Sequence, residues 1–235
     1  MKFTPPLIQS RLVRRYKRFF ADIELPDGTL ITAHCANTGS MAGLKEPGNP
    51  VWVSKASNPK RKLKYDWRIV QVDGTMVGIH TAIPNTITEE ALRAGKIPEL
   101  KGYDSLRREV KYGENSRIDF LLKSPNRRPC YVEVKSVTFS RTKGLAEFPD
   151  SPTARGTKHL RELQSMANGD ARAVMLYVIQ RDDCTNFSIA GDVDLEYQSS
   201  LQNAYQSGLE SLAYACKLSP EEISITHRVN MIGKP

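Results

Sequence analysis

The stretch YVEVKS, residues 131–136, has the character of a buried strand in Tyr131, Val132 and Val134, yet carries Glu133 and Lys135. Two apart on a strand, those two charges point to the same face. Upstream, SRIDFLL (116–122) reads as a second strand bearing Asp119, and Pro125 and Pro129 in the intervening KSPNRRP interrupt pairing. A hairpin symmetric about Asn126 sets Asp119 directly opposite Glu133, with Cβ atoms roughly 5 Å apart. Facing carboxylates repel, so one holds a proton or a cation sits between them. Mg²⁺ or Mn²⁺ suits such a pair, because hard cations take carboxylate oxygens and keep waters. Lys135, diagonal to Asp119, could then orient a water and stabilise charge on a phosphate oxygen. These residue types, Asp119 and Glu133 for a metal and Lys135 beside them, are those of metal-assisted phosphodiester hydrolysis. The competing reading is a cross-strand Lys135–Asp119 ion pair on a solvated face.

A following helix, TARGTKHLRELQSMAN (153–168), puts Lys158, His159 and Glu162 within one turn. Either Lys158 and Glu162 form a surface pair, or Lys158 and His159 stand near a phosphate beside the metal.

The elements that position these groups follow from the wider pattern. Residues 11–80 read as short strands and turns without helices: RFFADIEL alternates, PDG (26–28) turns, and TLITAHC, VWVS and YDWRIVQVDG continue. That is the signature of a small barrel or sandwich. Near residue 85 the pattern changes to α-β-β-β-α-β-α. A helix in TITEEALRAGKI capped by Thr86 or Thr88 opens it, and a helix in SLQNAYQSGLESLAYAC (200–216) closes it. ARAVMLYVIQ is apolar on both faces, which predicts a central strand covered by helices on both sides. Residues 138–153 read as a long loop. The fold class is α/β (α+β overall), divided into residues 1–85 and 86–235.

The net charge of +8 is uneven: residues 1–85 hold 13 Lys and Arg against 6 Asp and Glu, and residues 86–235 hold 21 against 20. A basic first third suggests a polyanion partner. Lys60, Arg61, Lys62 and Lys64 precede Tyr65 and Trp67, a cation–aromatic pairing used by nucleic-acid binders. Lys60, Arg61, Lys62 and Lys64 are read as nucleic-acid contacts, while Trp52 and Trp67 are read as core. His34, His80 and His227 are read as structural. The four cysteines are far apart with no CxxC pair, which argues for free thiols and against zinc. The longest apolar run, AVMLYVI, is too short to cross a bilayer, and the basic N-terminus lacks a signal-peptide core, so a cytoplasmic protein is expected.

SRIDFLL, YVEVKSVT, FPDSPTARGTKHLREL, YVIQRDD and ANTGSM, in that combination, resemble the sugar fermentation stimulation protein (SfsA) family over nearly the whole chain. The resemblance implies an N-terminal OB-like β-barrel followed by a PD-(D/E)xK nuclease-like α/β domain with a central mixed sheet. It also implies non-specific DNA binding, with a regulatory role in maltose metabolism as the non-catalytic alternative. Carried over, Asp119 matches the first acid of the nuclease motif, Glu133 the second and Lys135 the lysine. Ile118 stands where the motif's name has proline. Glu109, on the preceding strand, is a weaker metal candidate.

Overall fold

The computed structural model describes residues 1–113 and 116–233. Five strands close the N-terminal barrel: β1 (Ile8–Tyr16), β2 (Phe20–Glu24), β3 (Leu30–His34), β4 (Pro50–Lys55) and β5 (Tyr65–Val72). They run in the order β3-β2-β1-β4-β5, and a parallel contact of His34 with Asp66 joins β3 to β5. The alternation in β2 buries Ala21 and Ile23 completely, whereas Phe19 lies just outside the strand and is exposed. Asp27 turns the chain by accepting the Thr29 N–H at 2.9 Å, and Gly28 adopts φ +83°, a conformation costly for other residues. Trp67 is fully enclosed in the barrel, its Nε1 donating to the Ile69 carbonyl at 2.9 Å, and Trp52 is buried on the barrel's outer side. Both rings are therefore core.

After β6 (Thr75–Gly78) comes α1 (Ile83–Arg93). The helix starts earlier than its threonines suggest: Ala82 is the cap, no side chain caps it, and Pro84 lies in the first turn. Proline's fixed φ is already helical and its missing N–H costs nothing there, so Thr86 and Thr88 become interior positions. The strands β7 (Ser105–Tyr112), β8 (Ser116–Ser124) and β9 (Arg127–Val137) follow, then β10 (Phe139–Thr142), β11 (Leu145–Phe148) and α2 (Ala154–Asn168). The chain continues as β12 (Arg172–Ile179), β13 (Asn186–Ile189), α3 (Leu195–Gln206), β14 (Glu210–Leu218), β15 (Ile223–Arg228) and β16 (Asn230–Met231).

The main sheet has the order β15-β14-β12-β9-β8-β7. β12 is parallel to both neighbours, β9 and β14. α1 covers one face through Ile83, Ile87 and Ala91, and α2 and α3 cover the other through Leu160, Leu163, Tyr197 and Leu201. The expected central, doubly covered strand is thus β12.

Two expectations are corrected. Residues 138–153 are not one loop: β10 and β11 form a hairpin through Gly144 (φ +82°) and extend with β13 and β16 into a second sheet. Buried Glu147 helps hold it, accepting from Arg141 at 2.6 Å. Residues 200–216 are not one helix: α3 ends at Gln206, Gly208 takes φ +90°, and β14 follows. Leu212, Ala213, Tyr214, Ala215 and Cys216 are all buried, so the segment is apolar on both faces. Periodicity does not separate such a strand from a buried helix.

All four cysteines are free and buried. Among the described residues no helix is long and apolar enough to cross a membrane.

Candidate active site

β8 and β9 pair as Leu122↔Cys130, Leu121↔Tyr131 and Phe120↔Val132, the register a hairpin symmetric about Asn126 requires. Pro129 is accommodated inside β9 by an irregularity between Leu122 and Ser124, rather than ending the strand. Beyond Phe120 the ladder changes. The Val134 N–H donates to Oδ2 of Asp119 at 2.7 Å, so the carboxylate takes a backbone donor of the neighbouring strand. Asp119 is thus seated in the seam between β8 and β9 rather than forming an ordinary cross-strand pair. Its Oδ1 accepts from the Asn85 side chain at 2.6 Å, from the first turn of α1.

Glu133 is 3 % exposed. Its Oε1 accepts from Lys135 Nζ at 2.9 Å and is also bonded to His159 Nδ1, and Lys135 Nζ lies 3.2 Å from that ring nitrogen. Its Oε2 is buried with no hydrogen-bond partner among the described residues. Lys135 therefore pairs with Glu133, not with Asp119.

Thr153 caps α2 by accepting the Gly156 N–H at 3.1 Å, and the Thr153 N–H is itself held by Asp194 at 2.7 Å. The first turns of α2 so placed carry Arg155, Lys158 and His159. The Lys158–Glu162 pair exists, but loosely, at 3.9 Å with Lys158 half-exposed. The surface pair is thus a weak one, while His159 is built into the carboxylate cluster and Lys158 lines the same cleft.

The cleft has a volume of about 550 Å³. Asp119 and Glu133 lie in it, and Arg117, Arg155 and Lys158 contribute cations to its wall. Glu109 reaches it too, flanked by the pairs Arg108↔Phe120 and Val110↔Ile118, with φ +51°. The loop carrying Lys60, Arg61, Lys62 and Lys64 does not line the cleft. Arg61 is committed to buried Asp66 at 2.8 and 2.9 Å, and Lys64 donates to the Pro59 carbonyl at 2.6 Å. Lys60 and Lys62 are exposed.

The electrostatics are asymmetric. Burial, then the charge of Glu133, pushes Asp119 up to about 6, against the pull of the Val134 and Asn85 hydrogen bonds. Burial also acts upward on Glu133, but Lys135 and His159 outweigh it and hold this carboxyl below its usual range. The two acids' environments thus drive their titrations in opposite directions.

A divalent cation fits this donor set. Glu133 Oε2 is a buried oxygen without a partner among the described residues and Asp119 is held in a repulsive field, and a hard cation relieves both. Among the described residues no three His, Cys, Asp or Glu side chains form a metal-holding group, so the protein would give two carboxylates and water or phosphate the rest.

Three groups escaped the sequence reading. Arg155 lies one turn before His159, so helical spacing could have found it. Arg117 lies two residues before Asp119 on β8, so strand alternation could have found it; Asn85 carried no signal, since only tertiary packing brings it to Asp119.

A family model described as the SfsA N-terminal OB domain matches residues 13–79, and one described as the Sugar fermentation stimulation protein RE domain matches residues 82–222. Over 228 residues the chain is 56 % identical to a sugar fermentation stimulation protein homolog of Maricaulis maris, covering 97 % of each. With the homolog of Agrobacterium fabrum it shares 53 %, covering 98 % of this chain and 97 % of that one. A solved structure of Pyrococcus furiosus SfsA in complex with Ca²⁺ superposes with a TM-score of 0.88 at 25 % identity, covering 98 % of this chain and 97 % of that one. The barrel, the mixed sheet and these matches along the whole chain place it in the sugar fermentation stimulation protein family.

Proposed function

We propose that this protein is a divalent-metal-dependent phosphodiesterase acting on DNA, with residues 1–85 as the nucleic-acid-holding part and residues 86–235 as the hydrolytic part. The carrying observation is that Glu133 Oε2 is buried, without a partner among the described residues, in a cleft that also holds Asp119 and is walled by Arg117, Arg155 and Lys158. The Ca²⁺ in the Pyrococcus furiosus relative supports a divalent cation here.

Asp119 and Glu133 would hold the ion, Mg²⁺ or Mn²⁺. Bound there, it would supply Lewis-acid stabilisation of charge on the phosphate. Arg117, Arg155 and Lys158 would seat the phosphate, because guanidinium and ammonium groups match its oxygens. Asn85 and the Val134 N–H keep Asp119 oriented, and His159 keeps Glu133 in place. Lys135 Nζ, pinned between Glu133 and His159, would direct the attacking water and stabilise developing negative charge. Lys60 and Lys62, exposed on the barrel, would add non-specific backbone contacts.

A second reading is DNA binding without hydrolysis. One observation favours it: Glu133 Oε1 is already engaged by both Lys135 and His159. One experiment separates the two. Purified protein is incubated with single- and double-stranded DNA, with Mn²⁺ or with a chelator, beside Glu133→Gln. Cleavage by wild type alone, abolished by the chelator, supports the enzyme. Retained salt-dependent binding with no cleavage by either protein supports the binder.

A further inference from the structure

A second cavity, of about 530 Å³, lies where the N-terminal segment, the barrel and α1 meet, and it shares no lining residue with the carboxylate cleft. Phe3, Pro5 and Ile83 give it apolar walls; Lys2, Lys55 and Arg68 give it cations, and no carboxylate lines it. A half-open hollow of mixed lining, with apolar walls and convergent cations, has the makings of a ligand site.

Arg68 is the hook. Its side chain is 22 % exposed. Its Nε donates to Ser54 at 2.9 Å and one Nη to Asp66 at 3.3 Å, while the other has no hydrogen-bond partner among the described residues. Asp66 is one carboxylate shared by two guanidiniums, and Arg61 takes the larger part with two bonds of 2.8 and 2.9 Å. Arg68 is therefore a half-buried cation with incomplete compensation, and burial outweighs Asp66 to lower its pKa. His80, on the same wall, is pushed down to about 4 by burial and by Arg68, so it is neutral and offers a hydrogen bond rather than charge. An anion beside Arg68 would complete the balance.

We propose that this cavity binds a nucleoside monophosphate: the phosphate between Arg68 and Lys55, the base against Phe3 and Pro5. The volume suits one nucleotide, and the walls match a flat heterocycle carrying a dianion. A seated ligand touches Ala82, Ile83 and Thr86, the turn of α1 that also presents Asn85 to Asp119. The site stands independently of whether the carboxylate cleft hydrolyses anything.

The test is an amide-resolved NMR titration of the full chain with AMP, adenosine and inorganic phosphate, without added metal. AMP is expected to shift the amides of Lys55, Ala82 and Thr86, and to bind at least about tenfold tighter than adenosine or phosphate alone. Lys55→Glu, an exposed change, is expected to weaken AMP about tenfold; Ser57→Trp, at the cavity wall, is expected to block it. Arg68→Gln tests the hook directly, and the other two variants stand should it fail to fold. No shift at millimolar AMP, adenosine binding as well as AMP, unchanged AMP affinity in both Lys55→Glu and Ser57→Trp, or shifts centred on Arg155–His159 would each overturn the proposal.

Discussion

Asn85, on the first turn of α1, donates its side-chain amide to Oδ1 of Asp119 on β8 at 2.6 Å, although 34 residues separate them. The bond ties the helix on one face of the sheet to an acid in the seam of that sheet. Asn85→Ala leaves Oδ1 without this donor, and a lost bond to a charged group costs about 1.5–3 kcal/mol. The expected result is a fall in DNA cleavage with little change in DNA affinity, read by single-turnover kinetics beside a binding isotherm. A fall in affinity of equal size would assign Asn85 to DNA binding instead.

Glu133 and Lys135 have separable expected effects. Glu133→Gln should abolish metal-dependent cleavage. Lys135→Ala should cost about 10²–10³ in rate, the range seen when one stabilising donor is removed. Neither should change the salt slope of DNA binding by more than about one phosphate contact. A full-rate Lys135→Ala protein would remove the lysine from the chemistry.

Asp119 makes stability depend on pH in an unusual sense. Its folded pKa is raised from 3.8 to about 6, so between those values the folded state binds more protons than the unfolded state. Stability contributed by the protonated acid is present below pH 4 and is lost as pH rises through 6. Asp119→Asn should therefore stabilise the metal-free protein by about 1–3 kcal/mol at pH 8, and the gain should vanish near pH 4. Denaturant unfolding at both pH values checks it.

His80 works the other way. Its pKa falls from 6.5 to about 4 on folding, so the unfolded chain takes up the proton first. Its contribution is complete above pH 6.5 and is lost as pH falls toward 4, by at most about 3 kcal/mol. His80→Gln should flatten stability across that window. A slope identical to wild type would show that the ring is not desolvated.

Gly39 sits where an added Cβ would lie 2.4 Å from Oδ2 of Asp150, which also accepts from the Met41 N–H at 3.2 Å. This contact docks the barrel's ANTGSM loop on the FPDSP segment leading into α2. Gly39→Ala should cost about 1–3 kcal/mol through overpacking. In an Asp150→Ala background the same change should cost clearly less, because the tightest clash is gone and only the Asn37 Oδ1 contact at 3.0 Å remains. Additive losses in thermal or denaturant unfolding would place the strain elsewhere.

Short-range patterns were legible before any folding. Alternation in residues 19–25 specified an inward-facing strand through Ala21 and Ile23, and the doubly apolar run 173–179 specified a covered central strand. The spacing of Glu133 and Lys135 placed both on one face, and symmetry about Asn126 anticipated the β8–β9 register. Tertiary structure decided the rest. Gly208 and two-sided burial made residues 210–218 a strand, since a short apolar run carries no period of its own. Lys135 bonds its near neighbour Glu133 rather than Asp119 across the strands, and long-range docking brought His159 onto the same oxygen and delivered Asn85 to Asp119. Folding also commits the partly exposed Arg61 to Asp66, because a buried carboxylate needs a counter-charge. Which polar groups must satisfy one another is settled only when the chain closes around them.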